Sequence, residues 1–253
     1  MTIQEMHYNI RQKVDKLASF NNDNLNPAQI DWYINMAVRI EVDARLGINN
    51  MNRQGLEVTQ KRTDDLKDIH VKSPTALQPL IVPTLAGDLY GDFYEVKFSD
   101  FSFPYLQLTG LRCKITKTSC TPKVIGLTST KENELDFVLT DPNYGPDFKW
   151  GKGYFTEGAS LDEDTEGSIF IYTAGDYSVT EVYPTYYRKP VEVFIGGYDS
   201  LNGTYTAADT PVNCELERIH NQICQRVAEL VMVDIQDPEL AQLAEMKQIK
   251  NEF

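Results

Sequence analysis

The hydrophobic pattern of this chain changes period twice, and that change limits the folds open to it. From Thr2 onward the apolar residues Ile3, Met6, Ile10, Val14 and Leu17 recur every three or four positions, the spacing that lines one face of a helix. From about Ala76 the texture turns to short β-branched and aromatic runs broken by Gly, Pro, Asp and Asn, as in half-buried strands. After Thr210-Pro211 the helical period returns in Leu216, Ile219, Ile223, Val227, Leu230 and Val231. Such a chain is expected to be α+β, with N- and C-terminal helices forming one bundle and an inserted antiparallel β-sheet domain. The boundaries read as 1–75 for the N-terminal helical part, 76–210 for the β-rich domain and 211–253 for C-terminal helices packing back on the first.

Local signals sharpen this reading. Thr2 with Glu5 forms a capping box, and Asn26-Pro27 is an N-cap with proline at the first helical position. That second helix stops at Gly47 and carries the stripe Ile30, Tyr33, Ile34, Ala37, Ile40 and Ala44. Trp32, Met36, Val38, Val42 and Leu46 put apolar groups on its other faces, which predicts burial on several sides and contacts beyond the chain's own core. A short helix is expected around Thr63 to Ile69. Thr210-Pro211 is a second start signal, and Asp237-Pro238 begins a last helix bearing Leu240, Leu243, Met246 and Ile249.

In the middle, the runs LIVPTL, FYEVKF, LQLTGLRCKITK, KVIGLT, GSIFIYT, YSVTEVYPTYYR and VEVFIG predict a sheet of five to seven strands. Two alternating runs flank Ala174-Gly175-Asp176, which reads as a hairpin loop.

Charge narrows the function classes. The 253 residues carry a net charge of −13. Residues 1–75 hold ten Lys/Arg against ten Asp/Glu, residues 76–210 ten against nineteen, and residues 211–253 four against eight. No basic patch of the kind that grips phosphates is visible. No apolar run approaches the ~20 residues of a membrane span, and the charged first helix does not resemble a secretory signal. The expectation is a soluble protein made in a cytoplasm, with Cys113, Cys120, Cys214 and Cys224 reduced.

Chemistry has few candidates. The histidines are His7, His70 and His220; none lies in a nucleophile motif, and His7 and His220 fall on amphipathic helices, where packing roles prevail. Neither Gly196-Gly197 nor Gly151-Lys152-Gly153 matches a nucleotide-binding pattern. Cys214, His220 and Cys224 share a helix, but lack the complement of ligands that zinc requires. Asp162-Glu163-Asp164-Thr165-Glu166-Gly167 echoes the first half of a calcium loop, yet Thr173 stands where a bidentate Glu belongs; a solvated acidic loop is the better account. Tyr183-Pro184-Thr185-Tyr186-Tyr187 could stack a sugar, although alternating aromatics more often fill a sheet core. Catalytic, cofactor-binding and metal residues are therefore expected to be none. A carbohydrate-binding or adhesin-like β module and an acid-rich hydrolase are the alternatives.

The order of several segments carries a resemblance: NPAQIDWYINMAVRIEVDARLG, GLEVTQKRTDDLKDIHV, LQLTGLRCKITKTSC, NELDFVLTDPNYGP, IFIYTAGDYSVTEVYPTYYRKPVEV and VDIQDPELAQLAE. In this order the chain resembles the ring-forming head-to-tail connector and tail proteins of crAss-like short-tailed bacteriophages, viruses of Bacteroidales hosts. The resemblance covers most of the chain, and YTAGDYSVTEVYPTYYRKPVEV is its most specific part. It implies a non-enzymatic virion protein, a homo-oligomer stacked below the portal as a dodecameric ring through which DNA leaves the capsid. Implied partners are the portal and neighbouring ring and tail proteins, with DNA enclosed but not bound specifically, and no membrane. The implied location is the virion tail or neck, and the host cytoplasm during assembly. An acidic channel lining, with Asp162–Glu166 the leading candidate, would keep a polyanion moving.

Overall fold

In the computed structural model, which describes residues 1–17, 25–46, 56–72, 76–82, 93–141, 143–158, 167–197 and 210–234, the chain divides into two units. One comprises Met1–Ile69 with Pro190–Phe253, the other His70–Lys189. The class is α+β.

The first unit is built on helices. Its capping box closes as the sequence predicts: the Thr2 amide donates to Glu5 Oε2 at 2.9 Å and the Glu5 amide to Thr2 Oγ1 at 3.3 Å. Helix α1 (Ile3–Leu17) follows, with Ile3, Met6, Ile10 and Val14 buried. Helix α2 (Pro27–Leu46) starts where Asn26 accepts the Ile30 amide and its own amide meets Gln29 Oε1. The chain then forms α3 (Leu56–Asp65) and a single 3-10 turn, Lys67–Ile69, so this helical stretch begins before the expected Thr63.

Helix α5 (His220–Asp234) contacts both α1 and α2, and Ile223 and Val227 are buried on it, as is Ile219 just before it. It does not start at Thr210-Pro211, as the capping signature suggested. Val212 instead exchanges backbone hydrogen bonds with Phe194, the Asn213 side chain accepts the Ile3 amide at 2.8 Å, and a 3-10 turn (Glu217–Ile219) leads in. Tertiary partners thus use the segment that a cap reading assigns to the helix. The expected last helix from Asp237-Pro238 lies outside the described residues.

The second unit is a curled sheet of eight described strands, in the order β1-β8-β4-β5-β6-β7-β3-β2. They are β1 (His70–Lys72), β2 (Leu80–Val82), β3 (Phe93–Lys97), β4 (Tyr105–Thr116), β5 (Lys123–Ser129), β6 (Tyr154–Gly158), β7 (Ser168–Tyr172) and β8 (Ser178–Arg188). Helix α4 (Glu132–Thr140) leaves the sheet between β5 and β6.

Three expectations change here. The strand number exceeds five to seven, because HVK and YFTEG form strands despite their weak alternation. Among the described residues VEVFIG makes one bridge, Phe194↔Val212. The sheet is also not wholly antiparallel, since β5 and β6 run parallel through Thr128↔Tyr154 and Ser129↔Phe155.

The hairpin reading is corrected as well. The turn exists: the Asp176 amide donates to Thr173 O at 3.0 Å, with φ of 47° at Ala174 and 73° at Gly175. Both central residues are left-handed, as a type I′ turn requires. Yet β7 pairs with β6 and β3, while β8 pairs with β4 and β1. The turn is a corner between the two antiparallel halves of the sheet. Curling puts Tyr94, Val96, Ile169 and Ile171 of one half in the same buried cluster as Cys113, Ile115, Val182 and Tyr186 of the other. Burying two apolar faces against each other removes more surface from water than a flat hairpin would.

Candidate functional site

The residues singled out in the sequence are structural in their placement. His7 is buried, with Nε2 2.7 Å from Asp31 Oδ1. His220 is buried at the start of α5, where Nε2 donates to Cys214 O at 3.1 Å and Nδ1 lies 2.9 Å from the Met1 amine. Burial pushes its pKa down, and it does the same to His70 on β1, with Lys72 adding to the effect. Burial raises the thiols of Cys113 to about 12 and Cys214 to about 11, and raises Cys224 too. Such thiols are poor nucleophiles at neutral pH.

Among the described residues no group of three or more His, Cys, Asp and Glu is placed to hold a metal ion. The run Asp162–Glu166 lies outside the described residues. Tyr186 and Tyr187 are buried in the sheet, and the Tyr186 hydroxyl accepts the Phe103 amide at 3.2 Å. These tyrosines are core, so they offer no stacking platform.

A group of exposed aromatics lies elsewhere, around the connection from α4 to β6. Helix α4 ends at Asp141, whose Oδ1 accepts the amides of Asn143 (2.7 Å) and Tyr144 (3.2 Å). The Gly145 amide returns to Asp141 O at 2.8 Å. Asp147 and Lys152 then exchange backbone hydrogen bonds, and Asp147 Oδ1 accepts the Trp150 amide at 2.9 Å. Gly151 takes φ of 65° beneath that tip, and a Cβ there would sit 2.9 Å from Ile125 Cγ2. Only glycine meets both conditions without strain.

Lys152 Nζ ties the two turns by donating to Asn143 O at 2.6 Å, and the Tyr154 hydroxyl donates to Tyr144 O. Asp176 anchors the far side: its Oδ2 accepts the Phe148 amide at 2.7 Å and its Oδ1 pairs with Lys117. Burial tends to raise the Asp176 carboxyl, but the hydrogen bonds from Lys117 and the Phe148 amide outweigh it and hold the pKa below the ordinary value. Local polar contacts therefore fix the backbone while the rings stay outside. Trp150, 70% exposed, lines a cleft of about 610 Å³ with Asp141, Asn143, Asp147 and Lys152, and Tyr144 in the same connection is 62% exposed without lining it. The sequence reading passed over these aromatics because they sit among Pro, Gly and Asp, off any period. That irregularity was the available signal.

A different feature marks the helical unit. On α2, Trp32 is 59% exposed and Met36, one turn later, 38%, while Ile30, Ile34, Ala37 and Val38 on its other sides are buried. Inside the same unit, Arg45 reaches Glu41 at 2.5 Å and Asp65 at 3.2 Å, and Arg226 reaches Glu41 at 3.4 Å and Glu229 at 3.0 Å. All but Arg226 are nearly closed to solvent; Glu41–Arg45 and Arg226–Glu229 stand at helical spacing, while the links of Arg45 to Asp65 and of Arg226 to Glu41 had no sequence signature.

No family model and no curated protein matches this chain. No described helix is long and apolar enough to cross a membrane.

Proposed function

We propose that the chain is a structural subunit of a virus particle, a ring-forming head-to-tail connector or tail-barrel component of a crAss-like short-tailed phage. The observation that carries this reading is the outward apolar pair Trp32 and Met36 on α2, a helix that buries Ile30, Ile34, Ala37, Val38 and Val42 elsewhere on its surface. A ring needs one face of each copy to meet a different face of the next, a heterologous contact that closes into a cycle. An aromatic anchor on a rigid helix suits such a contact. The sequence resemblance supports the same reading and adds the dodecameric count, the portal as partner and the virion as location.

In this reading the N- and C-terminal helices share one core. The contacts of α5 with α1 and α2 support that arrangement. The acidic excess of residues 76–210 and 211–253 faces the channel and repels DNA over about one Debye length, ~8 Å at physiological salt. The protein assembles and encloses, and it turns nothing over.

The test is the mass of the purified full chain in solution, alone and mixed with the portal of the same phage. Closed rings on the portal, weakened by Trp32→Ala, are the expected result. A chain that stays monomeric with portal at all concentrations would overturn the reading.

A further inference from the structure

We propose that the segment Pro238–Ile249 of one copy packs its apolar side on Trp32 and Met36 of the next copy, so that each subunit carries both halves of a repeating contact. The inference rests on the assembly reading above and names the partner of its exposed helix face.

The first argument is where the described chain stops. Arg45 donates to Gln222, and Arg226 pairs with Glu41 at 3.4 Å. Four residues forward on α5 are thus four residues back on α2, and the two helices run antiparallel. Val231 and Met232 are still buried near the end of α5. Both helices rise equally per residue, so the register continues and brings Asp234, the last described residue, opposite Tyr33. The chain leaves α5 at the level of Trp32.

The second argument is which side it leaves from. At about 100° per residue, Trp32 stands about 180° and Met36 about 140° round α2 from Glu41, the residue that faces α5. Ile30, Ile34 and Ala37 share the Glu41 side and are buried, whereas Trp32 is 59% exposed and Met36 38%. Residues 235–237 reach at most ~10 Å. The way from α5 to the far side of α2 is an axis spacing of about 8–10 Å plus a helix radius of ~5 Å. A segment that starts at Pro238 therefore falls short of its own Trp32, and that face is left for another copy. A donor on one side of α2 and an acceptor on the other propagate from copy to copy, and a closed ring satisfies every one of them.

The third argument is the chemistry of the segment. After the start signal Asp237-Pro238, helical spacing puts Leu240, Leu243, Ala244 and Met246 on one side and Glu245, Gln248 and Glu252 on the other. Leu240, Leu243 and Ala244 stand at the offsets by which an amphipathic helix anchors to an apolar surface. A helix over 238–249 is ~18 Å long, enough to cover the ~6 Å from Trp32 to Met36 and a turn on either side. So short a helix draws its stability from the surface it packs on.

The experiment assembles the full chain on the portal of the same phage, in a Cys120→Ser background that removes the exposed native thiol. One batch carries Met36→Cys, and a second carries Leu240→Cys, Leu243→Cys or Met246→Cys. Mild oxidation of the mixed batches is expected to give a covalent dimer between them with at least one of the three, and none when Val124→Cys replaces Met36→Cys. Trp150→Phe leaves Trp32 as the one indole, and its quenching by acrylamide is expected to drop on assembly. Leu240→Asp with Leu243→Asp should raise the concentration needed for rings by at least about tenfold, because two leucines lose their burial.

Rings that form without any covalent pair, or equally well in the double aspartate variant, would overturn the contact and leave the assembly reading standing. A disulfide closed within a single chain carrying Met36→Cys and Leu243→Cys would place the segment on its own α2 and equally end the proposal. A chain that stays monomeric with portal would sink the assembly reading, and this contact with it.

Discussion

The carboxamide of Asn35 holds Val193 by both of its backbone groups: Oδ1 accepts the Val193 amide at 2.7 Å and Nδ2 donates to Val193 O at 3.0 Å. One turn earlier on the same helix, Asp31 Oδ2 accepts the Ile195 amide at 3.0 Å. Side chains of α2 thus stand where a neighbouring strand would stand for VEVFIG. An extended segment needs partners for its amides, and it does not matter whether strand or helix supplies them.

Replacing Asn35 by Ala should therefore destabilise the helical unit by about 1–3 kcal/mol, the cost of leaving buried backbone groups unpaired. Asn35→Asp keeps the acceptor for the Val193 amide and loses the donor, so it should fall between the two. Urea unfolding of the three proteins measures this. Equal midpoints would show that water replaces the side chain without loss.

The charge network makes a second demand. Arg45 lies between Glu41 and Asp65, with both carboxylates nearly closed to solvent. Arg45→Met takes the guanidinium away from Asp65 and leaves Glu41 with the partly exposed Arg226, and a loss of about 3–5 kcal/mol is expected. Arg39→Met removes a partner of Glu192 where both side chains are exposed, and should change stability by less than about 1 kcal/mol. Comparing the two variants by chemical denaturation separates buried from surface pairing.

If the terminal helices share one core, Ile223→Ala should cost about 2–5 kcal/mol, since Ile223 is wholly buried on α5. It should also speed hydrogen exchange in α1 and α2. Faster exchange confined to α5 would mean that the helices are stabilised separately.

Acid should weaken the protein in two stages. The pKa values of His70 and His220 are lowered by burial from an ordinary 6.5, so the unfolded chain takes up protons first. Stability is full above about 6.5 and declines as pH falls below it, levelling off under the lowered folded values. Asp176 is held below its ordinary 3.8. Its stabilisation is present above that value and is lost as pH falls through the lower folded one. Thermal melts across this range should show both stages, with the second reduced in Asp176→Asn, since Glu181 is lowered as well, and the first reduced in His220→Asn. A flat profile between neutral pH and about 5 would contradict the assignment of burial as the cause.

Much of the fold was legible in the residues, and the reason is local. Thr2 with Glu5 and Asn26-Pro27 act within one turn, so the starts of α1 and α2 follow from neighbours in sequence. The runs that became β3, β4, β5, β7 and β8 alternate strongly enough to be read alone. Period 3.6 and period 2 are properties of the backbone, and they show in any window of a dozen residues. The α+β class follows from these elements.

Only the tertiary structure decided the rest. The same turn residues, Ala174-Gly175, serve a hairpin or a corner, and the long pairing of β8 with β4 chose the corner. VEVFIG has the alternation of a strand, but its amides found Asn35 and Asp31, residues about 160 positions away in the chain. The Arg45 network and the cleft beside Trp150 likewise join groups whose separate sequence settings are unremarkable. Periodicity records which side of an element faces apolar surroundings. Pairing partners, corners and polar clusters depend on which distant surfaces exclude water together, and no local window contains that information.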